Sequence, residues 1–358
     1  MELVRNDCRY FKGDIPCEPN KREGSICNNC TYYKAIEERI LIIKLGAIGD
    51  VIRTTPLLRI LKKEKPNAEI NWLTYTPEII PPEWVNNIIN VTFENIEWLK
   101  VNTFDWLINL EKDRIAISLS DQINAKKKSG FAIDEYGKCK PFNVEDKAAV
   151  HKWLTGLFDE VSKENTKNYI EEVFEICGYK FNEEEYIISQ NKDDELTFKL
   201  DRRKKIIGLN TGCGGRWTSR LWPEEYWIEL AENLINEGYE VVLLGGAQED
   251  EKNKRISLKS NSKYFGYFTL KQFINLLDRC DVIVTSVTMA MHLALALKKK
   301  LILFNNIFNK NEFYLYGRGT ILEPDYKCSC YFSPKCENNC MRYIFPSTVL
   351  ESIKNSLS

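Results

Sequence analysis

The spacing of hydrophobic and polar positions along the chain changes several times from strand-like to helix-like. Ile40 to Ile43 form an unbroken apolar run of the kind found in buried parallel strands. A glycine turn follows at residues 46–50, and apolar positions then recur at helical spacing as far as Leu61. This order of strand, turn and helix predicts that Asp50 lies outside the carboxyl end of the strand, where α/β sheets bind their ligands.

Two interpretations of Asp50 remain open from this position alone. The dipole and the free N–H groups of a helix N-terminus favour a carboxylate, so Asp50 is expected either to cap the helix or to face the crevice as a base. Pro56 is compatible with the helix only within its first turn.

The same alternation continues through the first half of the chain and restarts in the second. It predicts an α/β fold with parallel sheets, in two Rossmann-like domains that face each other across a cleft. The basic residues 126–128 are expected to form a solvated turn, and a charged boundary is expected near residues 190–203. Further strands are predicted at residues 69–75, 104–110, 204–210, 240–244, 282–285 and 301–304.

These boundaries divide the chain into four parts. Residues 1–36 form a cysteine-rich N-terminal module, and residues 37–195 form the first Rossmann-like domain. Residues 200–325 form the second Rossmann-like domain, and residues 326–358 contain a cysteine cluster and a C-terminal helix.

Composition and charge narrow the classes of function. The 358 residues are 44% hydrophobic, and 50 Lys and Arg residues stand against 51 Asp and Glu residues, so no basic field indicates a nucleic-acid partner. No apolar run reaches the ~18 residues of a membrane span. The N-terminal sequence lacks the apolar segment of a signal peptide. We therefore expect a cytoplasmic protein.

Twelve cysteines are unexpected in a cytoplasmic protein, where thiols stay reduced and clusters more often bind metal. The N-terminal module is too short and polar to bury its own core, and it contains Cys8, Cys17 and the chelating pair Cys27-x2-Cys30. One interpretation of these four residues is a zinc or iron site. Reduced structural thiols or disulfides are the other.

A second cysteine cluster lies near the C-terminus. Four cysteines fall within thirteen residues and alternate with turn-forming residues, which is typical of a chelating loop. Thiolates suit iron and zinc equally, and four of them leave no open position for a substrate, so this metal is expected to be structural. The four residues are Cys328, Cys330, Cys336 and Cys340.

Three predicted strand-to-helix loops in the second half combine small or hydroxyl residues with free backbone N–H groups. They are Thr211 to Gly215, Gly245 to Ala247, and Ser286 to Thr288. Arg216 and Arg220 follow the first loop, and N–H groups with a guanidinium make an anion site suited to a diphosphate.

Glu249 follows the second of these loops. It is expected either to accept hydrogen bonds from ribose hydroxyls or to be a carboxylate at a helix start. The sequence contains no paired aspartates suited to magnesium, so no catalytic metal is expected.

Four blocks of sequence resemble glycosyltransferase family 9, the ADP-heptose:lipopolysaccharide heptosyltransferases and their relatives. The resemblance covers roughly residues 38–345. It implies the GT-B fold, with the nucleotide-sugar held mainly by the C-terminal domain and the acceptor by the N-terminal one. The blocks are LIIKLGAIGDVIRTTPLL, NTGCGGRWTSRLWPEEYWIEL, VVLLGGAQE and MAMHLALAL.

The resemblance also implies roles for single residues. Asp50 matches the family's acidic residue after the glycine turn, the proposed general base. Thr211 and Gly212 match the phosphate loop, and Arg220 stands where many members have a lysine. The other nucleotide-sugar contacts implied by the resemblance are Arg216, Glu249, Thr288, Met289 and His292.

Two departures from the family pattern concern the substrates. Many members have an aspartate at Val287, and because valine accepts no hydrogen bond, the donor sugar stays open. Residues 304–309 and the C-terminal cysteines resemble the protein O-heptosyltransferases that modify autotransporters. In that group a C-terminal cysteine cluster holds iron and supports a large oligomer.

We therefore expect an inverting glycosyltransferase that moves a sugar, heptose in the first instance, from an ADP-sugar to a hydroxyl acceptor. The acceptor would be a glycolipid of the lipopolysaccharide core or another cell-surface glycan. The alternatives are a protein O-heptosyltransferase of the autotransporter type and a non-catalytic nucleotide-sugar-binding scaffold. A homo-oligomer is expected, with peripheral contact at the inner face of the inner membrane and no nucleic-acid partner.

Overall fold

The computed structural model describes residues 4–189 and 198–358, and this part of the chain forms two compact units. The first unit contains residues 4–46, Thr55–Val150 and Val173–Lys180. The second contains Ala47–Thr54, His151–Glu172 and the described residues from Phe181 onward. Most of the expected boundary at residues 190–203 lies outside the described residues.

Each unit is built on one sheet. The first unit contains strands β1 to β6 and the second β7 to β11. The strands are β1 (Glu38–Ile43), β2 (Ala68–Thr74), β3 (Asn87–Asn90), β4 (Thr103–Asn109), β5 (Asn124–Ile133), β6 (Cys139–Pro141), β7 (Ile206–Asn210), β8 (Glu240–Leu244), β9 (Val282–Ser286), β10 (Lys300–Phe304) and β11 (Gly319–Leu322).

Helices connect most of the parallel strands. In the described part of the chain, none of them is both long and apolar enough to cross a bilayer. The helices are α1 (Glu18–Glu23), α2 (Ile48–Ile52), α3 (Leu57–Glu64), α4 (Phe93–Val101), α5 (Arg114–Gln122), α6 (Lys147–Leu154), α7 (Asp159–Glu164), α8 (Tyr169–Ile176), α9 (Glu224–Asn236), α10 (Asp250–Ser260), α11 (Leu270–Asp278), α12 (Met289–Ala296) and α13 (Pro346–Leu357).

The first sheet has the strand order β3-β2-β1-β4-β5-β6, parallel except for the β5–β6 pair. The order reverses between β1 and β4, and ligands of open α/β sheets bind outside the carboxyl ends of the strands at such a reversal. The turn at Gly46 follows β1 and Glu111 follows β4, so both lie at this point of the sheet.

A nearly buried ion pair fixes the turn after β1. Glu111 accepts hydrogen bonds from the backbone N–H groups of Leu45 at 2.8 Å and Gly46 at 3.1 Å. Its Oε1 also lies 3.1 Å from Nζ of Lys44, and the two side chains are 12% and 5% exposed. Burial raises the pKa of Glu111, and the Lys44 charge opposes that shift.

The second sheet has the order β11-β10-β9-β7-β8, and all its strands are parallel. The order reverses between β7 and β9, so the loops after these strands lie at the expected ligand position. Trp222 packs on one side of the sheet against Trp227 and Phe304, with ring centroids 4.7 and 5.0 Å away.

The two sheets of parallel strands confirm the predicted α/β class. The strands expected at 40–43, 69–75, 104–110, 204–210, 240–244, 282–285 and 301–304 are all present within about two residues.

The single helix expected after the first glycine turn was wrong. The chain forms α2 and then α3, with Pro56 as the residue preceding α3 at φ −53°. A proline lacks the N–H that would continue the first helix, so the helix ends and a new one begins.

The basic turn expected at residues 126–128 was also wrong, because these lysines belong to β5. Lys126 pairs with Asp105 at 2.7 Å, and Nζ of Lys127 lies 3.9 Å from the Trp106 ring centroid. Nζ of Lys128 donates to the carbonyl of Ser120 at 2.9 Å. Each ammonium therefore has a specific partner, which lets a charged run occupy a strand.

We expect Lys44→Met to destabilise the fold by ~3–5 kcal/mol near neutral pH, because it leaves the Glu111 carboxylate buried without its partner. Without Lys44 the pKa of Glu111 rises further, so the folded state of the variant binds a proton more readily. Its stability is therefore highest at acid pH and falls as the pH rises through the folded pKa of Glu111. Urea unfolding across the pH range measures this.

The matched control is Lys100→Met, which breaks the exposed pair with Glu97 and should cost no more than ~1 kcal/mol. Equal losses in the two variants, or a Lys44→Met deficit that does not shrink at acid pH, would contradict the role of the buried pair.

Candidate active site

Asp50 lies inside the first turn of α2 and does not cap it. Ala47 is the N-cap residue, and its side chain makes no capping hydrogen bond. The Asp50 carboxylate pairs with the Arg53 guanidinium, with Oδ1 2.8 Å from an Nη atom, and is 36% exposed. The interpretation of Asp50 as a helix cap is therefore wrong, and the carboxylate is held in one orientation with part of its surface open.

Arg53 is a site residue that the sequence analysis missed. A second Nη atom lies 3.5 Å from the Glu312 carboxylate, and the guanidinium lies 3.5 Å from the Tyr169 ring centroid. Burial lowers the pKa of Arg53, but Asp50 and Glu312 more than offset it and the pKa is raised. An arginine three residues after an acidic residue at a helix start was the signal available in the sequence.

His292 lies in α12 and packs directly against α2. A Cβ added to Gly49 would lie 2.6 Å from Cδ2 of His292, so only glycine fits at this helix contact. Burial and the nearby Arg53 charge lower the pKa of His292 to about 3, which keeps the imidazole neutral. The structure thus brings His292 beside the helix that carries Asp50.

The first predicted anion loop begins directly after β7. The Thr211 hydroxyl donates to Oδ1 of Asn253 at 2.6 Å, and the Thr211 carbonyl accepts from Nζ of Lys252 at 2.8 Å. Gly212 lies so close to Glu249 that a Cβ would be 2.4 Å from the carboxylate. Thr211 and Gly212 are therefore fixed by the helix that follows β8.

Glu249 joins the first loop to the second. Its carboxylate accepts a hydrogen bond from the Gly246 N–H at 2.9 Å and lies beside Gly212. Lys252 is a further residue that the sequence analysis missed. Its pKa is lowered by burial, and it adds a positive charge beneath the Thr211 loop.

The two arginines of the first loop occupy different environments. Arg220 is buried, and its guanidinium donates to the backbone carbonyls of Cys213, at 2.7 Å, and Val287. Arg216 is exposed, with its guanidinium 5.3 Å from the Trp217 ring centroid. Arg220 therefore ties the first loop to the third, and Arg216 is the arginine open to an incoming anion.

The third loop joins β9 to α12. The Ser286 hydroxyl donates to the Arg220 carbonyl at 2.9 Å. The Thr288 hydroxyl caps α12 by accepting from the Ala290 N–H at 3.2 Å, and the half-buried Met289 begins the helix. The three predicted loops thus meet at the carboxyl ends of β8, β7 and β9, which are adjacent in the sheet.

The C-terminal cysteines have the geometry of a tetrahedral metal site. Within the described residues, the sulfur atoms of Cys328, Cys330, Cys336 and Cys340 all lie within 4.8 Å of one another. The Cys328–Cys336 and Cys330–Cys340 sulfur separations are 3.5 and 3.6 Å. A tetrahedron with metal–sulfur bonds of ~2.3 Å has edges of about 3.8 Å, so the four thiolates fit one zinc or iron ion.

The cysteine loop is bonded directly to the segment that follows the first anion loop. The Ser219 N–H donates to the Pro334 carbonyl at 3.0 Å, and the Ser219 hydroxyl donates to the Ser333 carbonyl at 2.7 Å. The Asn306 amide donates to the Ser219 carbonyl at 2.8 Å and lies 3.4 Å from the Cys340 sulfur. The segment before Arg220 is therefore held by the loop that carries the cysteines.

The N-terminal cysteines are also brought together. Cys8, Cys17, Cys27 and Cys30 come from separate parts of the module and line one cavity. All four are free thiols and half-buried. The disulfide alternative is thus not the arrangement seen in the structure.

The family profile and the curated relatives that match this chain all describe heptosyltransferases. A family profile described as glycosyltransferase family 9 (heptosyltransferase) matches residues 96–306, more than half of the chain. Lipopolysaccharide heptosyltransferase 2 of Salmonella typhimurium is 24% identical over 297 residues, 74% of this chain and 81% of that protein. Lipopolysaccharide heptosyltransferase 1 of Pseudomonas aeruginosa is 24% identical over 324 residues, 83% of this chain and 87% of that protein.

Solved structures share the fold. A family 9 glycosyl transferase from Veillonella parvula has a TM-score of 0.69 at 16% identity, covering 90% of this chain and 97% of that one. The E. coli heptosyltransferase WaaC, solved with ADP-2-deoxy-2-fluoro heptose, has a TM-score of 0.64 at 17% identity, with coverages of 88% and 99%. The iron-containing dodecameric glycosyltransferase TibC from enterotoxigenic E. coli has a TM-score of 0.57 at 11% identity, with coverages of 90% and 77%. These likenesses confirm the predicted GT-B fold.

We expect Gly49→Ala to destabilise the protein by ~1–3 kcal/mol, because the new methyl group meets the His292 ring. The gain in helix propensity of up to ~1 kcal/mol offsets part of this loss. Chemical denaturation should show the penalty in the wild-type background and its disappearance in a His292→Ala background.

Gly46→Ala is the matched control, since its Cβ would meet the Tyr75 ring at an ordinary 3.7 Å. A Gly49→Ala penalty of the same size with and without the His292 ring would contradict this helix contact.

Proposed function

The chain belongs to glycosyltransferase family 9 and is a glycosyltransferase, and on that premise we propose that it transfers heptose from an ADP-linked donor to a hydroxyl acceptor. The observation that carries the proposal is the packing of α2 on α12. Thr288, at the start of α12, belongs to the three anion loops, and His292, one turn later, contacts the helix that carries Asp50. One helix pair therefore links the acidic residue to the loops.

In this proposal the donor diphosphate binds at the three loops. Backbone N–H groups after Thr211 and at the start of α12 would donate to its oxygens, and Arg216 would add a mobile positive charge. Arg220 and Lys252 would act on the diphosphate indirectly, because both donate hydrogen bonds to backbone carbonyls and so hold the loops in shape. Glu249 stays a predicted ribose contact, beside Gly212, and Met289 and Thr288 stay predicted contacts of the diphosphate side.

We assign the transfer step to Asp50. Its carboxylate would take the proton from the acceptor hydroxyl while that oxygen attacks the anomeric carbon. The bond from the anomeric carbon to the diphosphate oxygen breaks, and the configuration inverts. The loop N–H groups and Arg216 would stabilise the negative charge that develops on the departing ADP. No metal takes part in this step.

Heptose is the donor sugar that the relatives' names support, and WaaC was solved with an ADP-heptose analogue. The acceptor we favour is a glycolipid of the lipopolysaccharide core, at the inner face of the inner membrane. A protein acceptor is the second candidate, because the clustered C-terminal cysteines resemble those of the protein O-heptosyltransferases that modify autotransporters. TibC, which shares the fold, is an iron-containing heptosyltransferase that was also solved with ADP-D-β-D-heptose.

The C-terminal cysteines would hold a structural iron or zinc ion. Four thiolates saturate a tetrahedral site, so the bound ion would cross-link the loop and supply no open coordination position. Iron is favoured by the likeness to TibC, which is also dodecameric and supports a homo-oligomer here. A scaffold without catalysis is the third candidate, and Val287 is the residue that favours it.

We expect Asp50→Asn to lower transfer by roughly 10²- to 10⁴-fold, because an amide cannot accept the acceptor's proton. ADP affinity should stay nearly unchanged, since the loops are intact. Transfer rates are measured with ADP-heptose and an isolated core glycolipid. Calorimetric titration of ADP measures the affinity separately.

Glu312→Gln is the matched control, since it also alters a carboxylate beside Arg53 but leaves the base in place. It should keep well over a tenth of the wild-type rate. Normal turnover by Asp50→Asn would remove its assignment as base, and absence of ADP binding by the wild type would remove the enzyme proposal itself.

Removal of the C-terminal metal should weaken ADP binding about tenfold, which corresponds to ~1.4 kcal/mol. The reason is that a loosened cysteine loop would lose one or two hydrogen bonds to Ser219, and each is worth about 1 kcal/mol. The double variant Cys330→Ser with Cys340→Ser tests this, with metal content and ADP affinity measured on the same samples.

Ser219→Ala should retain the metal and lose a smaller part of the affinity. Ser352→Ala, which removes an exposed hydrogen bond to the Thr348 carbonyl within α13, should change neither. A folded, metal-free double variant with wild-type ADP affinity would show that the cysteine loop does not position the anion loop.

A further inference from the structure

We propose that the N-terminal module, of which the structure describes residues 4–36, binds a polynuclear iron–sulfur centre through Cys8, Cys17, Cys27 and Cys30. This inference is independent of the glycosyl-transfer site. It concerns a separate group of side chains in the first unit and assigns that group a cofactor of a different class from the single ion of the C-terminal cluster.

The module has almost no hydrophobic core to hold its shape. Among its described residues, 4–36, Pro19 is the buried residue, and Val4, Ile15 and Ile26 are 46%, 61% and 65% exposed. Short segments without a core are held by disulfides or metal, and the four cysteines are free thiols. The fold of this segment therefore requires a cross-link that thiolates can supply.

The local structure aims the four cysteines at one cavity. Cys17 is the N-cap residue of α1. Cys27 begins a single turn of 3₁₀ helix, and Cys30 is the C-cap residue of that turn. Cys8 lies opposite Ala35 in an isolated antiparallel bridge, which returns the end of the module to its start. The four cysteines come from separate places in the module, and the local structure at each place brings them to one cavity.

The cavity that these four cysteines line favours a cluster over a single ion. A single ion with bonds of ~2.3 Å needs sulfur atoms about 3.8 Å apart, as in the C-terminal site. In the described residues the C-terminal set is the one that closes to within 4.8 Å, whereas the N-terminal four surround a cavity of about 30 Å³. That volume exceeds the ~10–15 Å³ needed for one water-sized sphere, so the four cysteines surround more space than a single ion occupies.

The lining of the cavity suits such a centre. The aromatic rings of Tyr10, Phe11 and Tyr33 form part of its wall, and an apolar shell limits the access of water to a cluster. Arg5 also lines the cavity, with its guanidinium 4.9 Å from the Tyr33 ring centroid. Four thiolates around an iron–sulfur core carry net negative charge, which a nearby guanidinium stabilises.

The test uses the full-length protein, purified without oxygen and reconstituted with iron and sulfide. Three double variants are compared with the wild type: Cys27→Ser with Cys30→Ser, Cys328→Ser with Cys336→Ser, and Cys139→Ser with Cys280→Ser. Iron, zinc and acid-labile sulfide are measured per chain, with visible absorption and electron paramagnetic resonance after reduction. Circular dichroism and gel filtration establish that each variant is folded.

We expect acid-labile sulfide in the wild type, with about four iron and four sulfide ions per N-terminal centre if it is of the [4Fe–4S] type. The Cys27/Cys30 variant should lose the sulfide and the visible band, and the other two variants should keep both. Zinc or iron without sulfide at these residues would overturn the cluster assignment. Equal metal and sulfide in the wild type and the Cys27/Cys30 variant would overturn the site.

If the Cys27/Cys30 variant does not fold, a second measurement tests whether the N-terminal cysteines hold an iron–sulfur cluster. Mössbauer spectra of the folded Cys328/Cys336 variant, enriched in ⁵⁷Fe, then report on the N-terminal site alone. A cluster signal supports the proposal, and its absence overturns it.

Discussion

The ion pairing of the largely buried Arg53 guanidinium is the interaction on which the candidate active site depends. A buried charge is strongly unfavourable unless it is paired, and Arg53 meets Asp50 from its own helix and Glu312 from a segment far along the chain. The Tyr169 ring covers its face at 3.5 Å. Three distant segments must therefore assemble around one cation, and the orientation of the Asp50 carboxylate follows from that assembly.

This constraint also explains why a short piece of chain belongs to the second unit. Residues Ala47–Thr54 directly follow β1, yet they group with the sheet of β7 to β11. Gly49 allows α2 to approach the neutral His292 ring in α12, and Arg53 adds its ion pairs. The helix is only five residues long, so tertiary contacts rather than helix propensity must stabilise it.

A cysteine site that does not contact a substrate can still fix the conformation of the segment beside a predicted anion loop. Glycine-rich loops have high conformational entropy, and several fixed hydrogen bonds are needed to hold one arrangement. Here Asn253 and Lys252 hold Thr211 at the start of the first loop. The Ser333–Pro334 segment of the cysteine loop holds Ser219, in the segment that follows the first loop. The C-terminal cysteines and the loop before Arg220 therefore form one continuous hydrogen-bonded structure.

The sequence by itself determined the strands, the α/β class, the three anion loops and the two cysteine groups, because strand periodicity, glycine turns and chelating spacing are local properties. Tertiary structure decided which of these residues are buried, which are exposed and which partners they contact. Arg220 and Arg216 look alike in the sequence, but burial turns the first inward onto two carbonyls and leaves the second exposed. Arg53 lies within the first family block, but its ion pair with Glu312 joins residues far apart in the sequence. Residues 126–128 were predicted as a turn because their partners lie elsewhere in the chain. The cause is the same throughout: the partner of a buried charge is set by three-dimensional packing, and sequence spacing does not record it.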